Sequence, residues 1–220
     1  MKRPFLLQLL GICSFCLLLG SGAFAQTEIV DYMGRPVMAK QYLDVKGSPY
    51  LDDEWQEGWV KLQDGREYAG VRLKYDQVAD ELMFSNKKGE AQLFVHPVVA
   101  FELNKRLFVS GYNPVDATPL TAFYEVLVNG PTQLLKRTSK WVHEEVPYSS
   151  ATKVRSIIEQ QNYYLSDREG RLTKLKKDRK SLLQALGRKQ ADLEKYTKAN
   201  RLDLRQEQDM AKLVAYYNTL

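Results

Sequence analysis

The sequence predicts an α+β protein: an antiparallel β-meander, closed as a small barrel or folded as a sandwich, then a short hairpin and three short C-terminal helices. Three observations predict it. Apolar and polar residues alternate on both sides of Asp64-Gly65, between Gly58 and Asp76. Further short apolar runs recur up to Val146, parted by Gly, Pro and Asn. Beyond Lys180 the apolar spacing changes to three and four. Period two gives a strand with one buried face, and a period near 3.6 gives a helix with one buried stripe. Strands joined by local turns form antiparallel sheets.

The N-terminus is read before any element. Lys2 and Arg3 precede an apolar run from Leu6 to Leu19, and Ala23-Phe24-Ala25 is a small-x-small cleavage site. This pattern predicts a secretory signal peptide over 1–25. The run is short and broken by Gly11, Gly20 and Gly22, which favours cleavage over an uncleaved anchor. Ile12 and Phe15, which precede the two cysteines, are not the small residues a lipidation signal needs. Cleavage removes Cys13 and Cys16, so the mature chain is cysteine-free and excludes thiol nucleophiles, thiolate metal sites and disulfides. No Asn-x-Ser/Thr sequon occurs, and no later segment is apolar enough to span a bilayer. The expected location is the periplasm or the cell exterior.

Charge divides what remains. Residues 150–220 hold 16 Lys+Arg and 9 Asp+Glu, whereas 26–149 hold 14 and 18. The predicted domains follow that shift: an antiparallel β domain over 26–149 and a basic helical region over 150–220 packed on it.

The first strands expected are Ile29-Val30 and Val37-Met38, around a Gly34-Arg35-Pro36 turn. Gly47-Ser48-Pro49 is a break. The hairpin follows, with Val60 and Leu62 on one strand, Val71, Leu73 and Tyr75 on the other, and Asp64-Gly65 as a type I′ turn. Glu81–Ser85 and Ala91–Val95 flank Asn86-Lys87-Lys88-Gly89. Val98–Leu103 is read as pairing with Arg106–Ser110, and 111–119 as a loop. Ala122–Val128 and Gln133–Arg137 flank Asn129-Gly130-Pro131, and Trp141–Val146 is a further strand ended by Pro147.

From Ala151 the pattern changes. Val154, Ile157 and Ile158 fit a helical face or a strand. Tyr163–Leu165 and Arg171–Leu175 form a hairpin around Asp167-Arg168-Glu169-Gly170. Leu182, Leu183 and Leu186 share the face of a first helix that stops at Gly187. Leu193 and Tyr196 mark a second, and Met210, Leu213, Val214 and Tyr217 a third. Each is too short to stand alone, so each packs on a neighbour.

Several of these stretches carry a resemblance. Tyr163-Tyr164-Leu165, the Leu182-Leu183 helix, Tyr196 with Lys198–Leu202, the closing Tyr216-Tyr217-Asn218 and the hairpin GWVKLQDGREYAGVRL are similar to secreted proteins of Gram-negative envelope bacteria. That group has no assigned activity. The resemblance therefore implies export and a two-part layout, and implies no functional residues.

Candidate chemistry is thin. His96 and His143 are far apart and lack a third ligand, so no metal is expected; His143, beside Glu144 and Glu145, is read as a strand histidine facing solvent, with a weak surface metal contact as the alternative. Ser149-Ser150 lies in no nucleophile elbow. Asp52, Asp53, Glu54 and Glu57 beside Trp55 are the residue types of a glycosidase, yet neighbouring acids on an extended chain face opposite sides. Gly58, Gly65 and Gly70 belong to the hairpin, so no phosphate loop and no cofactor is expected. Arg171–Lys180 has six basic residues in ten; it is read as a solvated face, an anionic-lipid contact or a dock for the acidic first part, and export argues against nucleic acid. In each Tyr doublet one ring points outward, and Tyr164 and Tyr216 are the preferred outward rings. The expected contact surface is Trp55, Tyr164, Tyr216, Lys174, Lys176, Lys177, Arg179 and Lys180. The expected function is an exported, non-catalytic envelope protein that binds another protein or an envelope component. The alternatives are a hydrolase of glycan or peptide, and a binder of anionic lipid or lipopolysaccharide.

Overall fold

The computed structural model describes residues 34–37, 42–116, 118–146, 153–187 and 189–220. The expected signal peptide, the Ile29-Val30 strand, Met38 and Pro147 to Ser150 lie outside them. The α+β class holds: one open mixed sheet carries three helices.

Alternating burial forms the first strands where the sequence alternates. β3 (Gln56–Leu62) buries Val60 and Leu62, and β4 (Glu67–Asp76) buries Leu73 and Tyr75. The turn between them differs from the expectation. Gly65 has φ 88, while Asp64 does not enter the left-handed region. Leu62 N–H donates to the Arg66 carbonyl at 2.9 Å, and Gly65 N–H to the Leu62 carbonyl at 3.0 Å. This is a three-residue loop ending in a left-handed glycine. The Asp64 carboxylate accepts the Arg66 N–H, which removes its need for positive φ. The same loop recurs at Gly89 and Gly170. A two-residue turn with two left-handed residues does occur, at Asn104 (φ 49) and Lys105 (φ 61).

Gly34-Arg35-Pro36, expected as a turn, is a strand, β1 (Gly34–Pro36). It pairs antiparallel with β6 (Ala91–Phe94), which pairs with β5 (Glu81–Ser85). Its proline sits at the sheet's edge, where a missing N–H is tolerated. β7 (Val98–Leu103) does not continue beside β6. It crosses to the far side of β3, giving the order β1-β6-β5-β4-β3-β7. Only Val95, His96 and Pro97 join β6 to β7. That link reaches at most about 14 Å, whereas four flat strand spacings need about 19 Å. The sheet must therefore curl. The rings show it: Tyr75 on β4 lies 5.5 Å from Phe108 on β8 (Arg106–Val109), three strands away. The curl does not close, because β6 pairs with β1 and not with β7, so the sheet is open and not a barrel. Inside it lie Phe84, Phe94, Phe101 and Phe108 around Leu73 and Tyr75.

The second half extends the same sheet. β9 (Tyr124–Val128) follows β8, and β10 (Gln133–Glu145) follows β9. β10 is one strand where two were expected. β11 (Val154–Ser166) is likewise a single strand that takes in Val154, Ile157 and Ile158, so these three are not helical. The two pair without a break from Gln133↔Ser166 to Glu145↔Val154. β12 (Leu172–Leu175) pairs with the end of β11, and β2 (Val45–Lys46) pairs in parallel with Arg155 and Ser156. The compositional shift at residue 150 is thus no boundary of the sheet.

The helices cover one face of β10–β12. α1 (Arg179–Leu186) starts at Asp178, whose carboxylate accepts the Ser181 N–H at 2.7 Å. It stops at Gly187, φ 64, whose N–H returns to the Leu183 carbonyl. α2 (Gln190–Ala199) buries Leu193 and Thr197, and α3 (Glu207–Tyr217) buries Met210, Leu213 and Val214. Leu193, Met210, Leu213 and Val214, with Leu182 and Leu186, meet Leu134, Tyr163 and Leu165 of the sheet. The opposite face holds Leu135 and Tyr164 with Ala122 and Tyr124.

Candidate binding surface

Burial on both faces decides the fate of the tyrosine doublets. Tyr163 is 4% exposed and Tyr164 is 2% exposed, because helices cover one face and Tyr112, Val115, Ala122 and Tyr124 pack on the other. Tyr164 is therefore no outward contact ring. Tyr216 is half-buried and lies flat on Tyr196, with centroids 3.9 Å apart and planes 5° apart. Trp55 is half-buried near the Lys74 ammonium, 5.9 Å from its ring.

The acids around Trp55 go to separate partners. Asp52 accepts from Asn104 at 2.8 Å, and Asp53 accepts from the Ser48 hydroxyl. They do not face one another across a cleft. His96 lies 3.7 Å from Asp64, and His143 is exposed on β10. Among the described residues no three His, Asp or Glu side chains are grouped to hold a metal. Among them, too, no helix is long and apolar enough to cross a membrane.

The basic run is split across three elements. Arg171 bonds Asp167 and Glu169 in the turn, and Lys174 on β12 bonds Asp116 at 2.6 Å. Lys177 stands 5.2 Å above the Tyr163 ring. Lys176, Arg179 and Lys180 are exposed, with no ion pair among the described residues. The expected eight-residue surface is thus not one patch.

A buried charged row was not foreseen. Phe108, Glu125, Lys136 and Tyr163 are successive cross-strand neighbours on β8 to β11. Arg106 clasps Glu125 with two bonds of 2.9 and 2.8 Å. The Lys136 ammonium sits 3.1 Å from Glu125 and 2.9 Å from Glu207 of α3, and the Tyr163 hydroxyl donates to Glu207 at 2.8 Å. Burial alone would raise the Glu125 carboxyl; Arg106 and Lys136 outweigh it and hold it below its ordinary value. Burial, then the Glu207 bond, pushes the Tyr163 hydroxyl up. Every charge in the row has a partner, and the row fastens α3 to the sheet. It offers no unpaired base or nucleophile for catalysis. Glu125 in AFYEVLV and Lys136 in LLKR are charges inside apolar runs, which is the signal that could have found them.

The outer half of β10 and β11 is the other unforeseen feature. Past Lys136, β10 has left β9 and the two strands run on as an arm. Arg137 bonds Asp80 at 3.1 Å, and the Lys140 ammonium donates to the Tyr50 carbonyl at 2.6 Å, bracing the arm against the first half. Trp141 and Ile158 are direct cross-strand partners, 41% and 37% exposed. Val146 and Leu43 are also exposed. Between Ser156, the last partner of β2, and Tyr163, the first partner of β12, the edge of β11 has no strand beside it among the described residues. The site thus combines an exposed aromatic–aliphatic pair with an open strand edge among the described residues.

Compared with known proteins, the chain matches no family model, no curated protein and no solved structure.

Proposed function

We propose that this chain is an exported, non-catalytic envelope protein that binds a partner protein through the arm of β10 and β11. The signal pattern of residues 1–25 and the resemblance to secreted proteins of Gram-negative envelope bacteria support export, to the periplasm or the cell exterior. One observation carries the contact reading: Trp141 and Ile158 stand side by side in solvent on a strand pair braced by Arg137 and Lys140. A rigid aromatic beside an aliphatic residue loses little conformational entropy on binding and buries a large apolar area. The acids at Asp52 and Asp53, each tied to its own local donor, give the hydrolase reading no pair to work with.

The test is capture of envelope proteins by the tagged chain at low and high salt. The reading expects one protein kept at high salt and lost when Trp141→Ala and Ile158→Ala are combined. Both side chains are substantially exposed, so the double variant should lose no more than about 1 kcal/mol of stability. Retention of lipid or lipopolysaccharide alone, lost at high salt, would overturn it and move the contact to Lys176, Arg179 and Lys180.

A further inference from the structure

Resting on that reading, we infer that the β11 edge from Ile158 to Asn162 is a strand-addition site for a short, extended peptide segment of the partner, with an apolar residue opposite Ile158 and acids beyond the two ends of the slot. Among the described residues the edge is open and bounded at both ends. β2 occupies it at Arg155 and Ser156, and Gly47 then lies against Ile157. β12 occupies it from Tyr163 onward, and its chain turns away at Lys176, whose N–H is taken by the Ser181 hydroxyl. Five residues remain, a slot of about 16 Å. Along it, alternate main-chain N–H and C=O groups face outward with no partner strand among the described residues. Native edges are usually blunted by proline, lysine or a bulge. Ile158, Glu159, Gln160, Gln161 and Asn162 include no proline or lysine, and their pairing with β10 has no bulge.

The boundaries choose the occupant. A second copy would offer its own β11, which is 13 residues long and would run into β2 or β12. A short segment that is extended only across the slot fits. Its side chain opposite Ile158 would lengthen the row of Trp141 and Ile158, which calls for an apolar residue. Cations stand at both ends: Lys46 and Arg155 by β2, Lys176 and Lys177 after β12. Glu159 stands within the slot and disfavours an acid opposite it. Main-chain bonds would supply affinity, and the apolar and acidic positions would supply selectivity.

The experiment selects binders from a phage library of random decapeptides on the purified full chain, then remakes the best as synthetic peptides. The inference expects an apolar residue opposite Ile158, near one end of the bound stretch, with acids beyond the slot's two ends. It expects N-methylation of alternate peptide amides to weaken binding at least about tenfold in one parity and less than about threefold in the other, since one parity faces β11 and one faces solvent. It expects backbone amides within 158–162 to exchange more slowly by about tenfold or more on binding. Gln161→Pro, which removes an N–H that faces the open edge, should abolish binding, and Glu159→Lys, which keeps the backbone, should shift selection towards an acid opposite position 159. Selection of no peptide, equal tolerance of N-methylation in both parities, or protection confined to residues outside 157–162 would overturn the inference. In those cases, partner capture still dependent on Trp141 would leave the arm as the contact surface and remove only the slot; loss of both would remove both.

Discussion

At the scale of residues, the buried row makes a graded prediction. Glu125 and Glu207 both touch Lys136, but the Glu125 side chain is 9% exposed and that of Glu207 is 32%. Glu125→Gln leaves Arg106 and Lys136 facing a neutral group where water is scarce, and should cost about 3 kcal/mol in urea unfolding. Glu207→Gln should cost about 1 kcal/mol, because water reaches that carboxylate. Equal losses would mean that the row is not buried in solution. The pH dependence follows from the lowered Glu125 carboxyl. Its stabilisation is complete above the ordinary value of 4.5 and is lost as pH falls through the lower folded value. The gap between wild type and Glu125→Gln should therefore be constant from pH 5 to pH 7 and narrow below about pH 4. The charges themselves were visible in the sequence as interruptions of apolar runs. Their pairing was not, because it depends on the register of four strands. Tyr164 was misjudged for a related reason: alternation says that two adjacent rings face opposite ways, but not that both faces are covered.

At the scale of elements, local chemistry and packing separate cleanly at the glycines. Gly65 has φ 88 and empty space where a Cβ would stand, so Gly65→Ala costs only backbone strain, about 1 kcal/mol. A Cβ at Gly58 would run into the Glu102 carbonyl oxygen of β7, so Gly58→Ala must push two paired strands apart. Its loss in thermal or urea unfolding should exceed that of Gly65→Ala by a factor of two or more. At α1, Asp178→Ala removes the cap to Ser181 and should cost about 1 kcal/mol. The three helices were legible because their leucines keep helical spacing and Gly187 sits at the stop. The length of β10 and β11 was not. In their outer halves Ser139, Lys140, His143 and Glu144 are polar on both faces and carry no apolar alternation to read. Ile157-Ile158, two adjacent apolar residues, then mimic a helical face. The Asp64-Gly65 turn was legible as a turn but not as a type, since the Asp64 carboxylate holds the loop in a form that needs one left-handed residue.

At the scale of the whole molecule, one sheet runs from β1 to β12 across the change in charge at residue 150. That change does not fasten the two parts. The ion pairs between them run both ways among the described residues: Lys136–Glu207 and Lys140–Glu159 place the base in the first part, and Lys153–Glu144 and Lys174–Asp116 place it in the second. What joins them is the ladder of β10 with β11 and the apolar layer beneath the helices. Unfolding should therefore be one cooperative transition, with tryptophan fluorescence and far-ultraviolet circular dichroism superimposable in urea. Residues 26–149 alone, which strip β10 of β11 and of its helical cover, should show no cooperative transition. Two separated transitions, or a folded 26–149 fragment, would contradict a continuous sheet. The arm is the part of this sheet that the core does not use, and its role as the contact surface is the central claim. Site-specific photo-crosslinking tests it most directly, with benzoylphenylalanine placed at position 141 in one protein and at position 55 in another, irradiated in intact cells. A discrete protein adduct from position 141 and none from position 55 is the predicted result; an adduct from position 55 alone, or none from position 141, would contradict it.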